Sequence, residues 1–371
     1  MTELVIVLGV VAAACALPGV FLVLRRMSLV SDAIGHVLLL GIVLAYFITR
    51  EIQSPWLLVG AMLTGMATVV LVELLQRTRL VQVDAAIGLV FPALFALGVL
   101  LVTIFVPNVH IDVDAVLVGQ PELANEPRWD LFGFKLQPLT ILTAVLLLNI
   151  GLCVLLYKEL KVSTFDAGLA ATLGFPPGGL HYGLMAVVCV TAVAAFDAVG
   201  PVLVVGFFVL PAATALLLTE RLSRVLVIAV AVGVLGAVIG VRVADRLDAN
   251  TAGSVATALG LLFALAFLFS PIHGQVVQLV RRRKQRLFFE ETMLVVHLYQ
   301  HEGTQAEAEE ARLDRLHRHL SWPPERVLQV VNRALAHGTV VSSGSVLKLT
   351  DHGRQQAQAV IGDLNSTDRI P

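Results

Sequence analysis

Nine apolar stretches, most of them about 20 residues long, follow one another along the first 271 residues, separated by polar turns. They fall at 3–24, 27–49, 55–76, 84–106, 138–157, 180–197, 199–219, 225–244 and 251–271. A hydrocarbon core of roughly 30 Å is crossed by about 20 apolar residues of helix. Lipid offers no water to the backbone, so only helices and closed barrels can span it. Unbroken apolar runs of this length specify helices, and the expected fold is an all-α polytopic membrane protein with eight or nine transmembrane helices. The count turns on 180–197 and 199–219, which meet across Asp197-Ala198-Val199-Gly200 and read as two spans or as one interrupted, re-entrant pair. Charged residues are 14% of the 371, against roughly 25% in soluble domains, which excludes a soluble enzyme over this part. Pro18, Pro92, Pro201 and Pro211 interrupt the runs, so neighbouring protein must satisfy the backbone groups they free. Cys15, Cys153 and Cys189 sit in apolar runs without CxxC spacing, and read as small buried hydrophobes.

The second run carries Asp32 and His36 in its first half. Positions i and i+4 share a helix face, so a carboxylate and an imidazole project together, as a divalent metal would need. Ionisable groups inside a bilayer are costly and point to function, although such a pair also serves as polar glue between helices. If the helix starts at Arg26, His36 lies about 15 Å along it, near the midplane where transporters keep their sites.

Orientation follows from Lys and Arg in the short loops. Arg25, Arg26, Arg77, Arg79, Lys158, Lys161, Arg221, Arg224 and Arg281-Arg282-Arg283-Lys284 crowd the helix ends on one side. That side is expected to be cytoplasmic, with the tail after residue 280 there too. The long loop 107–137 then faces outward, as the natural docking surface for an external partner. Its His110, Asp112 and Asp114 either contact a metal in transit or simply face water. On the opposite side, Asp166 can cap a short helix through about Leu173, which Gly174 and Pro176 end. A mildly apolar helix there suits contact with a cytoplasmic protein.

After Arg286 the composition changes. The domains expected are 1–280 in the membrane, 281–363 as a small α+β domain, and 364–371 as a flexible end. Helices are expected at 288–299 and 307–320 and from Trp322-Pro-Pro-Glu onward, then a hairpin turning at Ser343-Gly344 and a last helix from Asp351. Three helices and a hairpin is the winged-helix order. From residue 287 on, eight basic residues face eleven acidic ones. Arg326 and Arg333 are the only cations on the candidate recognition helix. Binding DNA requires basic side chains against phosphates, so this balance favours a protein-contact or regulatory module over DNA. The six histidines of the tail either sense metal or are ordinary surface histidines, and their spacing shows no compelling ligand set.

Several stretches, in order, resemble the permease subunit of the manganese, zinc and iron class of ABC importers. They are Leu24-Arg-Arg-Met-Ser-Leu with Asp32 and His36, Asp84-Ala-Ala-Ile-Gly-Leu-Val-Phe, Tyr157-Lys-Glu-Leu-Lys, and Phe165-Asp. Ala198-Val-Gly-Pro-Val-Leu-Val-Val-Gly, Leu210-Pro-Ala-Ala-Thr-Ala and Thr251-Ala-Gly complete the set. The resemblance covers residues 1 to about 275. It implies a type II importer fold in the cytoplasmic membrane, two permease subunits (identical or not), two cytoplasmic ATPases and an external metal-binding protein. It puts metal coordination on Asp32 and His36, and ATPase coupling on Phe165, Asp166, Ala170 and Gly174. Asp197 stands where the family usually has Gln, as an added ligand or a helix cap. Val346-Leu-Lys-Leu-Thr-Asp-His-Gly-Arg resembles the winged helix of metal-dependent repressors, without the dimerisation part that follows there.

The leading expectation is a permease that passes a divalent cation inward, manganese first and zinc or iron as alternatives. No G-x-x-x-x-G-K-[ST] loop occurs in this sequence, so ATP hydrolysis belongs to another chain. The rival readings are a membrane-anchored DNA-binding regulator and a permease for a metal chelate.

Overall fold

The computed structural model describes residues 2–51, 54, 56–105, 129–131, 134–136, 138–272 and 274–367. They form two compact units, Met1–Gln275 and Val276–Pro371. In the first, α1 (Thr2–Leu24), α2 (Leu29–Thr49), α3 (Trp56–Arg77) and α4 (Val83–Phe105) lead to a two-stranded hairpin. Its strands β1 (Trp129–Leu131) and β2 (Phe134–Leu136) pair antiparallel with Asp130 opposite Lys135. Then come α5 (Pro138–Leu155), α6 (Tyr157–Phe165), α7 (Ala167–Thr172) and α8 (Pro177–Val199). The unit closes with α9 (Pro201–Leu218), α10 (Leu222–Leu247) and α11 (Thr251–Phe269).

Eight of these helices are long and apolar enough to cross a membrane, and α5 with α6 supplies a ninth if the bent pair is one span. The ambiguity therefore sits elsewhere than expected. Between α8 and α9 only Gly200 intervenes, at φ 79°, a left-handed conformation that glycine adopts without a Cβ penalty. Pro201, with no N–H to give, opens α9 at the position where none is needed. The 138–157 run instead turns through 74° between α5 and α6.

Helix α1 is the centre of the membrane unit, 72% buried where α4 is 11% buried. It packs against α5, α8, α9 and α10. Its face Ala12-Ala13-Ala14-Cys15-Ala16 is wholly buried, and small side chains let helix backbones approach closely in lipid. The α2–α3 interface closes the same way: a Cβ at Gly60 would stand 2.6 Å from the Gly41 carbonyl oxygen. Large apolar side chains such as Leu63, Leu89, Leu100 and Leu261 point outward, as they should where the solvent is hydrocarbon.

Pro18 cannot donate to the carbonyl of Ala14, four residues back. Asn149 of α5, itself buried, donates Nδ2–H to that oxygen at 2.8 Å and to Thr191 Oγ1 of α8 at 3.0 Å. One amide thus repairs the proline break and ties three helices together.

The second unit is described by α12 (Gln275–His301), one-turn helices α13 (Glu307–Glu310) and α14 (Leu316–His319), α15 (Pro324–Ala336), strands β3 (Val340–Ser343) and β4 (Val346–Leu349), and α16 (Asp351–Thr367). The helix expected at 307–320 is broken. Ala311 to Leu313 leaves helical geometry to pair with the hairpin, Leu313 N–H to Ser345 O at 3.0 Å and Leu347 N–H to Ala311 O at 2.9 Å. Strands β3 and β4 pair antiparallel with Ser343 opposite Val346, so the turn is Gly344-Ser345. The core joins Leu294, Val295, Leu316, Val330, Val331, Leu347 and Ala357. Helix α16 runs to Thr367, past the point where a flexible end is expected, while residues 368–371 are outside the described set.

Replacing Asn149 with alanine removes the amide and leaves the Ala14 carbonyl and Thr191 without this partner. The expected cost is about 1–3 kcal/mol, read as a lower melting midpoint in detergent. An unchanged midpoint would show that the bond contributes nothing net.

Candidate metal-transit site and coupling surface

Helix α2 begins at Leu29, not Arg26, because Arg25, Arg26 and Met27 fold back onto α1, with Met27 N–H bonded to Leu22 O at 2.9 Å. His36 is therefore seven residues into the helix, roughly 10 Å at 1.5 Å per residue, about one turn shallower than expected. The pair forms as the spacing requires: Asp32 Oδ1 lies 3.4 Å from His36 Nε2. Both side chains remain partly accessible, while Ala33, Ile34, Gly35 and Val37 beside them are buried. The His36 ring stacks on Phe91 of α4 at 5.8 Å and meets Phe95 edge-on at 5.7 Å. Two aromatic rings hold the imidazole plane while the carboxylate and the ring stay partly accessible.

A separate cavity of about 250 Å³ opens among α2, α3 and α8, lined by Val30, Ala33, Thr68, Glu73, Gln76 and His181 among others. Glu73 and Gln76 each have one buried polar atom with no hydrogen-bond partner there. Glu73 lies near the end of its apolar run with no second ionisable group at helical spacing inside the run, so spacing does not mark it.

Arg25 is the other residue that spacing does not reveal. Its Nη1 lies 3.3 Å from His181 Nδ1 of α8, Nε donates to Thr164 Oγ1 at 3.2 Å, and Nη2 donates to Ser163 Oγ at 3.1 Å. The hinge between α1 and α2 is thereby strapped to α6 and α8.

The short helix α7 forms where expected. Asp166 takes an extended conformation and accepts from Leu169 N–H at 2.9 Å. Gly174 ends the helix at φ 84°, with Phe175 N–H reaching back to Ala170 O at 3.0 Å. Ala170 is buried inward, whereas Phe165, Leu169 and Leu173 are exposed. This four-residue spacing gives one apolar face, and of its members only Phe165 was anticipated.

The remaining candidates fare differently. His110, Asp112 and Asp114 lie outside the described residues. Asp197 falls within the last turn of α8, and the residue capping α9 is Gly200, so Asp197 is not that cap; its side chain is outside the described set. Arg326 Nε bonds to Glu290 Oε2 at 2.8 Å, and Arg333 Nε to Glu291 Oε2 at 3.1 Å. His337 joins Glu291 at 2.9 Å. Both candidate phosphate contacts are engaged inside their own unit, with carboxylates that are buried.

The bundle of apolar helices makes this a multi-pass membrane protein, and its family makes it a permease, a transport component and not an enzyme. Residues 1–270 match the ABC 3 transport family, and the chain belongs to that family. It is 46% identical over 358 residues to the zinc transport system membrane protein TroD of Treponema pallidum, covering 96% of this chain and 98% of that one. That alignment takes in the tail. It is 42% identical over 273 residues to the manganese transport system membrane protein MntD of Bacillus subtilis, covering 73% of this chain and 92% of that one. Among solved structures it is similar to PsaBC from Streptococcus pneumoniae in complex with Fab, at TM-score 0.63, 25% identity, and 73% and 92% coverage.

Glu291 is the most buried anion of the tail's ion pairs. Replacing it with alanine strands Arg333 and His337, which are partly solvated, at an expected cost of roughly 1–3 kcal/mol. Hydrogen exchange should then speed up in α12 and α15. Unaltered protection in both helices would show that the pairs are decorative.

Proposed function

We propose that this chain is the permease subunit of an ATP-driven importer that carries a divalent transition-metal cation inward, manganese favoured and zinc or iron as alternatives. The observation that carries this reading is the Asp32–His36 pair, held within an apolar helix against two phenylalanines in a member of a transport family. One carboxylate oxygen and one imidazole nitrogen suit manganese, iron or zinc. Relatives named for zinc and for manganese are the most similar reported above, in keeping with a site that chemistry alone does not restrict. Two ligands are too few to retain an ion. Water and a second permease subunit, identical or not, supply the rest, and a site that binds weakly also releases.

In this reading the basic loops face the cytoplasm, nine crossings are made, and the tail lies on the ATPase side. A separate cytoplasmic ATPase docks on the apolar face of Phe165, Leu169 and Leu173, with Asp166, Ala170 and Gly174 fixing the shape of the helix that carries it. Its motion passes through α6 and the Arg25 strap, seven residues before Asp32, to the start of α2. An external metal-binding protein delivers the ion near the 107–137 loop. The tail is a winged-helix-type module that contacts protein. DNA does not suit it, because Arg326 and Arg333 are already paired and the tail is net acidic.

Alanine at both Asp32 and His36 is expected to reduce uptake of radiolabelled manganese to background while the ATPase still co-purifies. Full uptake by the double variant would sink the assignment. Arg25→Ala tests the strap. Uptake should fall at least several-fold with manganese binding unchanged, and a variant that transports normally would remove Arg25 from the coupling route.

A further inference from the structure

Three histidines and one glutamate from separate elements of the tail converge. His297 and His301 lie one turn apart on α12, Glu310 ends α13, and His319 ends α14. Ligand atoms of His297, His301 and Glu310 all fall within 4.8 Å of one another. Glu310 Oε2 is 2.8 Å from His319 Nδ1 and 3.4 Å from His297 Nε2, so two imidazoles address one carboxylate oxygen. The His297 and His301 rings meet edge-on at 4.8 Å, and His297 stacks on His319 at 6.2 Å. His297, His301 and Glu310 are half-buried while His319 is exposed, and His297 Nε2 is buried without a hydrogen bond of good geometry.

We propose that His297, His301, Glu310 and His319 form a binding site for a zinc-class divalent cation in the tail, separate from the transit pair in α2. Three imidazole nitrogens and one carboxylate oxygen make a four-ligand set of the kind zinc holds tetrahedrally at about 2.0–2.2 Å. Such bonds place donors roughly 3.4 Å apart, so the spread of up to 4.8 Å among His297, His301 and Glu310 closes by little more than an ångström, and His319 already meets Glu310 at 2.8 Å. Hydrogen bonding alone explains the pairing of Glu310 with His319. It does not explain why His301 is brought against His297, whereas a cation bound by both imidazoles does. Burial, then the neighbouring His301, hold the His297 imidazole below its ordinary range, which favours the ligand form near neutral pH.

The break in the 307–320 segment supplies the geometry. A continuous helix would carry Glu310 and His319 nine residues apart along one axis. Pairing Ala311–Leu313 with the hairpin folds the second half back, and the two residues meet. If the chain imports a transition cation, as proposed above and on which this consequence rests, the tail would report metal supply to the membrane unit. The binding itself stands apart from that reading.

The test uses the full chain in nanodiscs with Asp32→Ala and His36→Ala, so that the transit pair cannot contribute. With zinc(II) as the probe, one equivalent should bind, and cobalt(II) in its place should give the visible absorption of a four-coordinate ion. Adding His297→Gln and His301→Gln should weaken zinc binding at least 100-fold and abolish the cobalt bands. His317→Gln, outside the cluster, should change neither. Circular dichroism and hydrogen exchange on α15 would show that the glutamine variant is folded. Zinc binding that survives the glutamine substitutions, or a parent chain that binds no zinc, overturns the site. Neither outcome bears on manganese uptake through the membrane part.

Discussion

Inside a bilayer no water is available to a stray polar group, so each one must be satisfied by the protein or by what passes through it. This constraint orders the membrane unit. The amide of Asn149 completes a carbonyl that Pro18 leaves without its helical donor, and that is a structural solution, closed on itself. The Asp32–His36 pair is of another kind. Its two members touch each other at 3.4 Å and still present open ligand atoms, with Phe91 and Phe95 supporting the ring without using its nitrogens. A polar group that packing orients but does not consume is what the proposed transit site needs.

The same reasoning separates rigid from movable parts. Close backbone contact between α2 and α3 at Gly41 and Gly60 makes those two helices move together. Arg25 connects the other end of α2 to α6 and α8 through three side-chain bonds of 3.1–3.3 Å. Such bonds exchange at modest cost compared with repacking apolar helices. In the proposed coupling route, a push on α7 has a soft joint at Arg25 and a stiff body beyond it, as an access switch requires.

Much of this was legible in the sequence because it is local. Span lengths, the Asp166 cap, the Gly174 stop and the Asp32–His36 spacing are all set within one or two helical turns. What escaped depends on contacts between residues far apart in the chain. Asn149 finds Ala14 across 135 positions, and Arg25 finds His181 across 156; no period in the sequence announces either. The start of α2 was misplaced because apolar composition continues through Met27 while the backbone folds onto α1. The broken 307–320 segment failed for a related reason. Its heptad-like leucines fit a helix, yet backbone pairing with the hairpin outweighs that preference.

That failure also hid the tail's histidines. Scanned along the sequence, His297 and His301 have helical spacing but no partners within reach, and His319 belongs to no motif. Once the segment folds back, the acidic tally of the tail acquires a different meaning. Glu290 and Glu291 are spent on Arg326, Arg333 and His337, and Glu302 on Arg354. Glu310 has only imidazoles around it among the tail's ion pairs. A cation that all four groups share would complete that cluster, so the same carboxylates that argue against nucleic acid fit the metal site proposed above.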